Sequence, residues 1–447
     1  MNVIVVGGGI SGLAAAWEAA RHGASVMLLE SSDRLGGKLL TSHVGGSLVE
    51  LGPDSLLTRT PSALELVDSL GLDLVAPTAS RALLWSRGAR RPIPPGLVLG
   101  APPNLERALS SDLVGPITRL RAAWGVIARS RRGHETDDLG RLAAWRWGRT
   151  WSERHIEPLV GGINANTIVG LSARVSAPSI LSMPPSGPPA PAPSRPTRPA
   201  FVAPSGGLST LVDAVAQVLV DLGVDVRSST SVTELAPAPH GTAVTTSDGS
   251  SFSADAVVLA VPAFRAAEIL AASAPEASLL LRGIRYASVS VLALSIAPTL
   301  APSLKGVAGV LVDRREGLMT TAVSLASEKW PHWAGDDALL RVSAGNLHDV
   351  RPLDRDDDRL RDDLVAEAEG ILEATLEIRD ARLARWTNAF PHFAPWHLDL
   401  VERIDRELRD ALGSTVALAG AWRRGSGIPT CIASGRDAAR ATISRDN

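Results

Sequence analysis

The sequence predicts an α/β fold, and three observations carry that prediction. Residues 2–30, NVIVVGGGISGLAAAWEAARHGASVMLLE, read as strand, glycine turn, helix and strand. A later stretch, GVDVRSSTSVTELAPAPHGTAVTTSDGSSFSADAVVLAVP, reads as short alternating strands with turns at His240-Gly241 and Asp248-Gly249. It ends in a buried strand from Ala256 to Val261, so sheet-forming sequence returns in mid-chain. At 447 residues the chain also exceeds one ordinary core, and two or three domains are expected.

Val3 to Val6 form the first buried parallel strand, and Gly7, Gly9 and Gly12 make a G-x-G-x-x-G turn into a helix running from Leu13 to Arg21. Gly7 permits the tight turn, Gly9 lets backbone approach a pyrophosphate, and Gly12 lets helix and strand pack closely. Gly8, Ile10 and Ser11 complete the turn, where the helix N-terminus offers unpaired N–H groups and partial positive charge to phosphates. Ser25 to Leu29 form the second strand. Glu30 follows 18 residues beyond Gly12, with Ser31 beside it. A carboxylate at that point accepts both ribose hydroxyls and repels a 2′-phosphate. The combination points to a dinucleotide site.

Just beyond, ESSDRLGGKLLT holds a second glycine turn, Gly36-Gly37, flanked by Arg34 and Lys38. It would set N–H groups and positive charge over the far side of a diphosphate, which a plain nicotinamide domain does not need. Asp112 to Gly133, DLVGPITRLRAAWGVIARSRRG, has apolar residues at roughly helical spacing interrupted by arginines. That suits a packed helix of a small helical subdomain or a membrane-surface patch. Pro184 to Pro204 is too rich in proline for a helix or a central strand and reads as an extended surface linker. Asp356 to Asp358 are interleaved with arginines, which reads as a solvated helix start and not as a metal site. Near the end, GAWRRGSGIPTCIASG is another glycine-rich turn opening a helix, with Pro429 near its first position.

Composition excludes several classes. A net charge of -2 leaves no excess of cations for nucleic acid. Cys431 is the single cysteine, so no disulfide or multi-cysteine metal site forms within the chain, and a reducing cytoplasm is the expected setting. No charged leader is expected, and no run reaches the ~18 apolar residues of a membrane span. No Ser/His/Asp arrangement, paired carboxylates or metal-ligand cluster stands out. His332, His392 and His397 are expected to be structural, Lys329 to pair at the surface with Glu328 or another acid, and Cys431 to be a small buried packing residue.

The spacing E-x3-R-x-G-G-K resembles the flavin amine oxidase superfamily. VELGPDSLLTRTPSALELVDSLGL, KWPHW, RWTNAFPHFAPWH and GSGIPTCIASGRDAA resemble, in that order, its bacterial protoporphyrinogen/coproporphyrinogen oxidase branch. The resemblance implies a discontinuous Rossmann-like FAD-binding domain (1–60, 205–265 and 396–447), with a mixed-sheet substrate domain (61–100 and 266–395). A helical insertion (101–170) and a proline-rich linker (178–204) complete the expected organisation. It implies that Arg34 and Lys38 flank the phosphates and ribityl chain of FAD, and that the backbone at Val232 meets the adenine. Gly52, Pro53, Asp54 and Ser55 would run beside the flavin ring, with Trp386 near the cofactor. Gly427, Ile428 and Pro429 would close over the isoalloxazine end. Arg59 would pair a substrate propionate, because a guanidinium matches a carboxylate bidentately.

The implied reaction is an FAD- and oxygen-dependent six-electron oxidation of a porphyrinogen to a porphyrin in haem biosynthesis. Coproporphyrinogen III is favoured over protoporphyrinogen IX, hydrogen peroxide is formed, and neither a metal nor a catalytic side chain is required. The implied partners are a tetrapyrrole with propionate groups and molecular oxygen, with peripheral contact at the inner face of the cell membrane and handover to a ferrochelatase. Two departures stand out: Asn164-Ala165-Asn166-Thr167 replaces a Tyr-Ala-Gly-Asp-like run, and Trp396 stands where a glycine often precedes the histidine, here His397. Rival readings are an amine oxidase or desaturase, against which the single tyrosine, Tyr286, counts because a cage needs two aromatics, and a non-catalytic flavin-binding scaffold.

Overall fold

The structure, a computed structural model, describes residues 1–58, 60–128, 136–183, 198–239, 241–298 and 301–443. The start, middle and end of the chain meet in one five-stranded parallel sheet. Its order is Asp225–Arg227, Ser25–Leu29, Asn2–Val6, Ala256–Leu259 and Val416–Leu418. Val5 pairs with Leu28 on one side and Val258 on the other, and all three are fully buried. Such strands read as continuous apolar runs because both faces of a parallel sheet are covered.

One face is covered by the first helix, Ile10–Arg21, the last helix, Ile428–Ile443, and the helix Leu208–Asp221. The first helix starts three residues earlier than expected, since the end of the glycine turn is already its first turn. The other face carries the three-stranded antiparallel sheet Val232–Ala238, Gly241–Thr246 and Ser251–Ala254, together with the helix His397–Leu412.

A second sheet has seven strands in the order Ile378–Pro391, Tyr286–Ile296, Ala338–Ala344, Thr320–Leu325, Val307–Val312, Arg81–Trp85 and Arg90–Pro92. It is mixed, because Val307–Val312 runs parallel to Arg81–Trp85 while the other neighbours are antiparallel. The helix Asp357–Leu372 packs its Leu360, Leu364 and Ile371 against this sheet. Asp356 caps that helix by accepting the Arg359 N–H at 2.8 Å, so the acidic run is a helix start.

The helices Leu105–Leu109, Pro116–Ile127 and Leu139–Trp147 share a core of their own with Trp151, Ile156 and Phe393. A π-helical stretch, Ser152–Gly161, follows them, with Pro158 inside it. Proline has no N–H to donate, and the widened turn accommodates the missing bond. Among the described residues no helix is long and apolar enough to cross a membrane.

The proline-rich 178–204 stretch is not a surface linker at its ends. Pro178–Leu181 is a short helix, and Phe201–Pro204 is a strand pairing with Leu56–Leu57 and Leu74–Val75. Val202 and Ala203 are buried there, because the few apolar residues between Pro199 and Pro204 suffice to pair and pack. Residues 184–197 lie outside the described residues.

Candidate functional site

A cavity of about 770 Å³ runs between the parallel sheet, the mixed sheet and the helical insertion. Its first end is the glycine turn. A Cβ on Gly7 (φ +105°) would sit 2.8 Å from the Ala260 carbonyl oxygen, and one on Gly12 would sit 1.8 Å from that of Gly7. Those two glycines are demanded by the protein's own packing. Gly9 is different: it borders the cavity, and a Cβ there would meet nothing within 4 Å. Its openness leaves room for a ligand. No side chain caps the helix that begins at Ile10, and Ile10 and Ser11 both border the cavity, which suits a bound diphosphate.

Glu30 and Ser31 border the same end. The Glu30 carboxylate is pre-oriented: Oε2 accepts the Gly8 N–H at 2.6 Å, and Oε1 accepts the Ser32 N–H at 2.8 Å and the Ser31 hydroxyl at 3.2 Å. Gly8 therefore acts from behind the wall. Val232 borders the cavity nearby and is buried.

The second glycine turn docks on the first, with the Gly36 N–H donating to the Gly8 carbonyl at 2.8 Å. Gly36 and Gly37 have φ of +95° and +57° and border the cavity together with Lys38. Burial pulls the Lys38 pKa down. Arg34 does not reach the wall. Its guanidinium donates to the carbonyls of Leu35, Gly37 and Leu39, holding the turn's shape.

Gly52, Pro53 and Asp54 border the middle of the cavity, and Ser55 stands behind, donating to Asp54 Oδ1 at 3.0 Å. Trp386 faces the cavity with its indole N–H fixed to the Leu51 carbonyl at 2.7 Å. Asp54 is gripped by Lys329 Nζ at 2.8 and 2.9 Å and by Arg341 Nη1 at 3.2 Å. Burial pushes the Asp54 carboxyl up, but these two cations outweigh it and hold the pKa at about 2. Lys329 does pair with an acid, yet beside the cavity and not at the surface as expected; its side chain is 20% exposed.

At the C-terminal turn, Ile428 borders the cavity with Ser426 and Cys431, while Gly427 and Pro429 do not. Residues three apart share a helix face, so Ile428 and Cys431 point inward together and Pro429 points elsewhere. A Cβ on Gly427 would meet only ordinary contacts, the nearest at 3.9 Å, so the protein's own packing does not demand glycine there. Cys431 is buried, as expected, and burial pushes its thiol up to about 11. Arg59 lies outside the described residues.

Sequence reasoning missed a polar wall formed by Glu157, Arg314, Asn346 and Asp349. Arg314 Nη2 donates to Asn346 Oδ1 at 2.9 Å, and its Nη1 lies 3.6 Å from Glu157 Oε1. Glu157 Oε2 accepts the Ile168 N–H at 2.9 Å. These residues come from three separate segments, with Asn346 and Asp349 in one loop, and no local spacing announces them. Ala165 and Asn166, from the loop that departs from the expected run, border the same region; Asn166 Nδ2 lies 2.6 Å from His392 Nδ1. His392 and His397 are structural: burial lowers both, His392 to about 4, and His397 Nε2 sits 2.6 Å from the Trp422 carbonyl. Among the described residues no cluster could hold a metal ion.

Comparison with known proteins gives a consistent picture. A family model described as flavin containing amine oxidoreductase matches residues 10–443. Coproporphyrinogen III oxidase of Mycobacterium tuberculosis is 34% identical, the match covering 97% of this chain and 95% of that one. The Bacillus subtilis enzyme of the same name is 29% identical, over 98% and 97% of the two chains. Among solved structures, a provisionally named protoporphyrinogen oxidase from Exiguobacterium sp. 255-15 superposes with a TM-score of 0.85 at 27% identity, covering 98% of each chain.

Proposed function

The chain belongs to the flavin containing amine oxidoreductase family and is an FAD-dependent oxidoreductase, and from that premise we propose that it oxidises a porphyrinogen to a porphyrin in haem biosynthesis. The substrate we propose is coproporphyrinogen III, with molecular oxygen as final acceptor and hydrogen peroxide as by-product. The near full-length likeness to the mycobacterial coproporphyrinogen III oxidase carries this reading.

The cavity fits the cofactor. Gly7, Gly9, Ile10 and Ser11 would hold the diphosphate, Glu30 the ribose, Val232 the adenine, and Lys38 the far side of the phosphates. Gly52, Pro53, Asp54, Trp386 and Ile428 would surround the ring. When bound, FAD supplies the hydride acceptor. The polar wall around Arg314 then faces the substrate, and Asn346 fixes the guanidinium in position to meet a propionate.

The helix Pro116–Ile127 supports a peripheral membrane contact. Ile117, Leu120, Trp124 and Ile127 lie along one face of it and are 58–85% exposed. A cytoplasmic enzyme docked by that face at the inner side of the membrane would pass its porphyrin on to a ferrochelatase, the metal insertion that consumes it.

The test is direct. Purified protein with a flavin spectrum is given coproporphyrinogen III or protoporphyrinogen IX in air, while porphyrin fluorescence and peroxide are followed. Flavin-loaded protein inert toward both compounds overturns the reading. A faster rate on protoporphyrinogen IX reassigns the substrate, and porphyrin formed without peroxide removes oxygen as the acceptor.

A further inference from the structure

The hydrogen balance of the proposed reaction demands more than hydride transfer. A porphyrinogen becomes a porphyrin by losing six hydrogens, four from its bridge carbons and two from its nitrogens. Three leave as hydrides and three as protons. With every hydride drawn from a bridge carbon, one of the three protons must also come from carbon. At that step a bridge C–H bond breaks and its electron pair forms a ring C=C. The pair of an adjacent protonated pyrrole C=N returns to nitrogen, so the redox state is unchanged. A carbon acid gives up its proton slowly to water, and a positioned base speeds the step.

Four acids border the cavity, and three are committed elsewhere. Glu30 stands at the glycine-turn end, with both oxygens hydrogen-bonded. Asp54 is locked between Lys329 and Arg341. Asp349 gives one oxygen to Arg351 Nε at 2.8 Å and the other to Nη2 at 2.6 Å. Glu157 remains. Its Oε2 is anchored by the Ile168 N–H, while no hydrogen bond to Oε1 occurs among the described residues. Arg314 Nη1, at 3.6 Å, is itself buried without a hydrogen-bond partner. The carboxyl is thus fixed through one oxygen, while the other has a 3.6 Å ion pair with Arg314 and no hydrogen bond among the described residues, on a π-helical turn at the cavity wall.

We propose that Glu157, through Oε1, accepts the bridge-carbon proton that hydride transfer leaves behind, and releases it to solvent before the next turnover. The inference rests on the porphyrinogen reading above. Burial raises the Glu157 pKa, against the lowering effect of the Ile168 N–H, Arg314 and Arg315, with Asp313 adding to the rise. A raised pKa makes a carboxylate a better base for carbon.

The test compares Glu157→Gln and Glu157→Asp in the FAD-loaded enzyme. Glutamine keeps an oxygen for the Ile168 N–H and loses the base. In anaerobic single-turnover mixing, bleaching of the flavin by porphyrinogen reports hydride transfer alone. E157Q is expected to bleach within about twofold of wild type; in air, where reoxidation allows the three rounds of flavin reduction a porphyrin needs, it is expected to release porphyrin about 100-fold more slowly while a partly conjugated intermediate accumulates. Wild-type porphyrin release should rise with pH through the Glu157 ionisation; E157Q should lack that limb, and E157D should restore it at a shifted position. Porphyrin release at the wild-type rate in E157Q, or equal slowing of bleaching and release, overturns the proposal. Should E157Q not retain FAD, E157D decides, and an unmoved pH limb overturns it. Wild-type protein that is flavin-loaded but inert to porphyrinogens overturns the functional reading instead.

Discussion

Asp54 is fixed in its charge state by its neighbours. Two cations, Lys329 from a short helix and Arg341 from a strand, converge on one largely buried carboxylate, and removal of either sign leaves the other uncompensated. Asp54→Asn should lower stability near neutrality by about 3 kcal/mol, read as a drop in melting temperature. The acid dependence follows from the sign of the shift. The folded pKa, about 2, lies below the ordinary 3.8, so the carboxylate's contribution is complete above 3.8 and lost as pH falls towards 2. Wild-type melting temperatures should fall through that window and those of the variant should fall less; parallel curves would refute the ion-pair account. None of this was legible in the sequence, because Lys329 lies 275 positions from Asp54. Gly7, Gly9, Gly12 and Glu30 were legible because backbone clearance and strand-end placement are local constraints. Arg34 and Lys38 looked equivalent in sequence, and only the folded turn shows that one binds carbonyls while the other faces the cavity.

At the level of elements, the helix Pro116–Ile127 shows why periodicity alone was ambiguous. Ala122, Ala123 and Val126 turn inward, while Ile117, Leu120, Trp124 and Ile127 form a second apolar stripe facing out. Both stripes share the helical spacing, so the sequence indicated a helix without saying which face was covered. Replacing Leu120 and Trp124 with glutamate removes two large apolar side chains, each worth about 1.5–3 kcal/mol when fully buried, and adds repulsion from anionic lipid. Co-sedimentation with anionic vesicles should fall at least about tenfold, while turnover of dispersed substrate stays close to wild type. Wild-type protein failing to sediment at low salt would end the membrane proposal. The start of the helix His397–Leu412 was half legible. Trp396 there has φ of +66°, a conformation that suits glycine, which accounts physically for the glycine the resemblance leads one to expect. The π-helical turn carrying Glu157 was not legible, since Pro158 signals a break in helical hydrogen bonding without specifying a widened turn.

Across the whole molecule, the chain ends close the fold that the chain start opens. The last helix lies on the first so tightly that a Cβ on Gly435 would come within 1.9 Å of the Ser11 carbonyl oxygen. Arg436 and Glu18, each 1% exposed, pair across this contact at 2.5 Å; Arg436 also reaches Glu65 at 2.8 Å, and Arg440 reaches Glu18 at 2.6 Å. Ser11 and Ile428, one from each helix, border the cavity, so the interface that completes the parallel-sheet domain also sets the cavity's shape. Sequence could foresee the closing turn but not the charge pair, because its partners lie 418 positions apart. Arg436→Met should leave the buried Glu18 carboxylate with the half-exposed Arg440 as its remaining close cation and cost about 3 kcal/mol, with weaker FAD retention as the helices separate. The double replacement, Glu18→Met with Arg436→Met, should recover a large part of that loss, since no buried charge remains at the contact. Denaturant melts and flavin release on gel filtration measure both effects. Equal destabilisation by the single and double variants would mean that packing volume, and not charge pairing, joins the two ends.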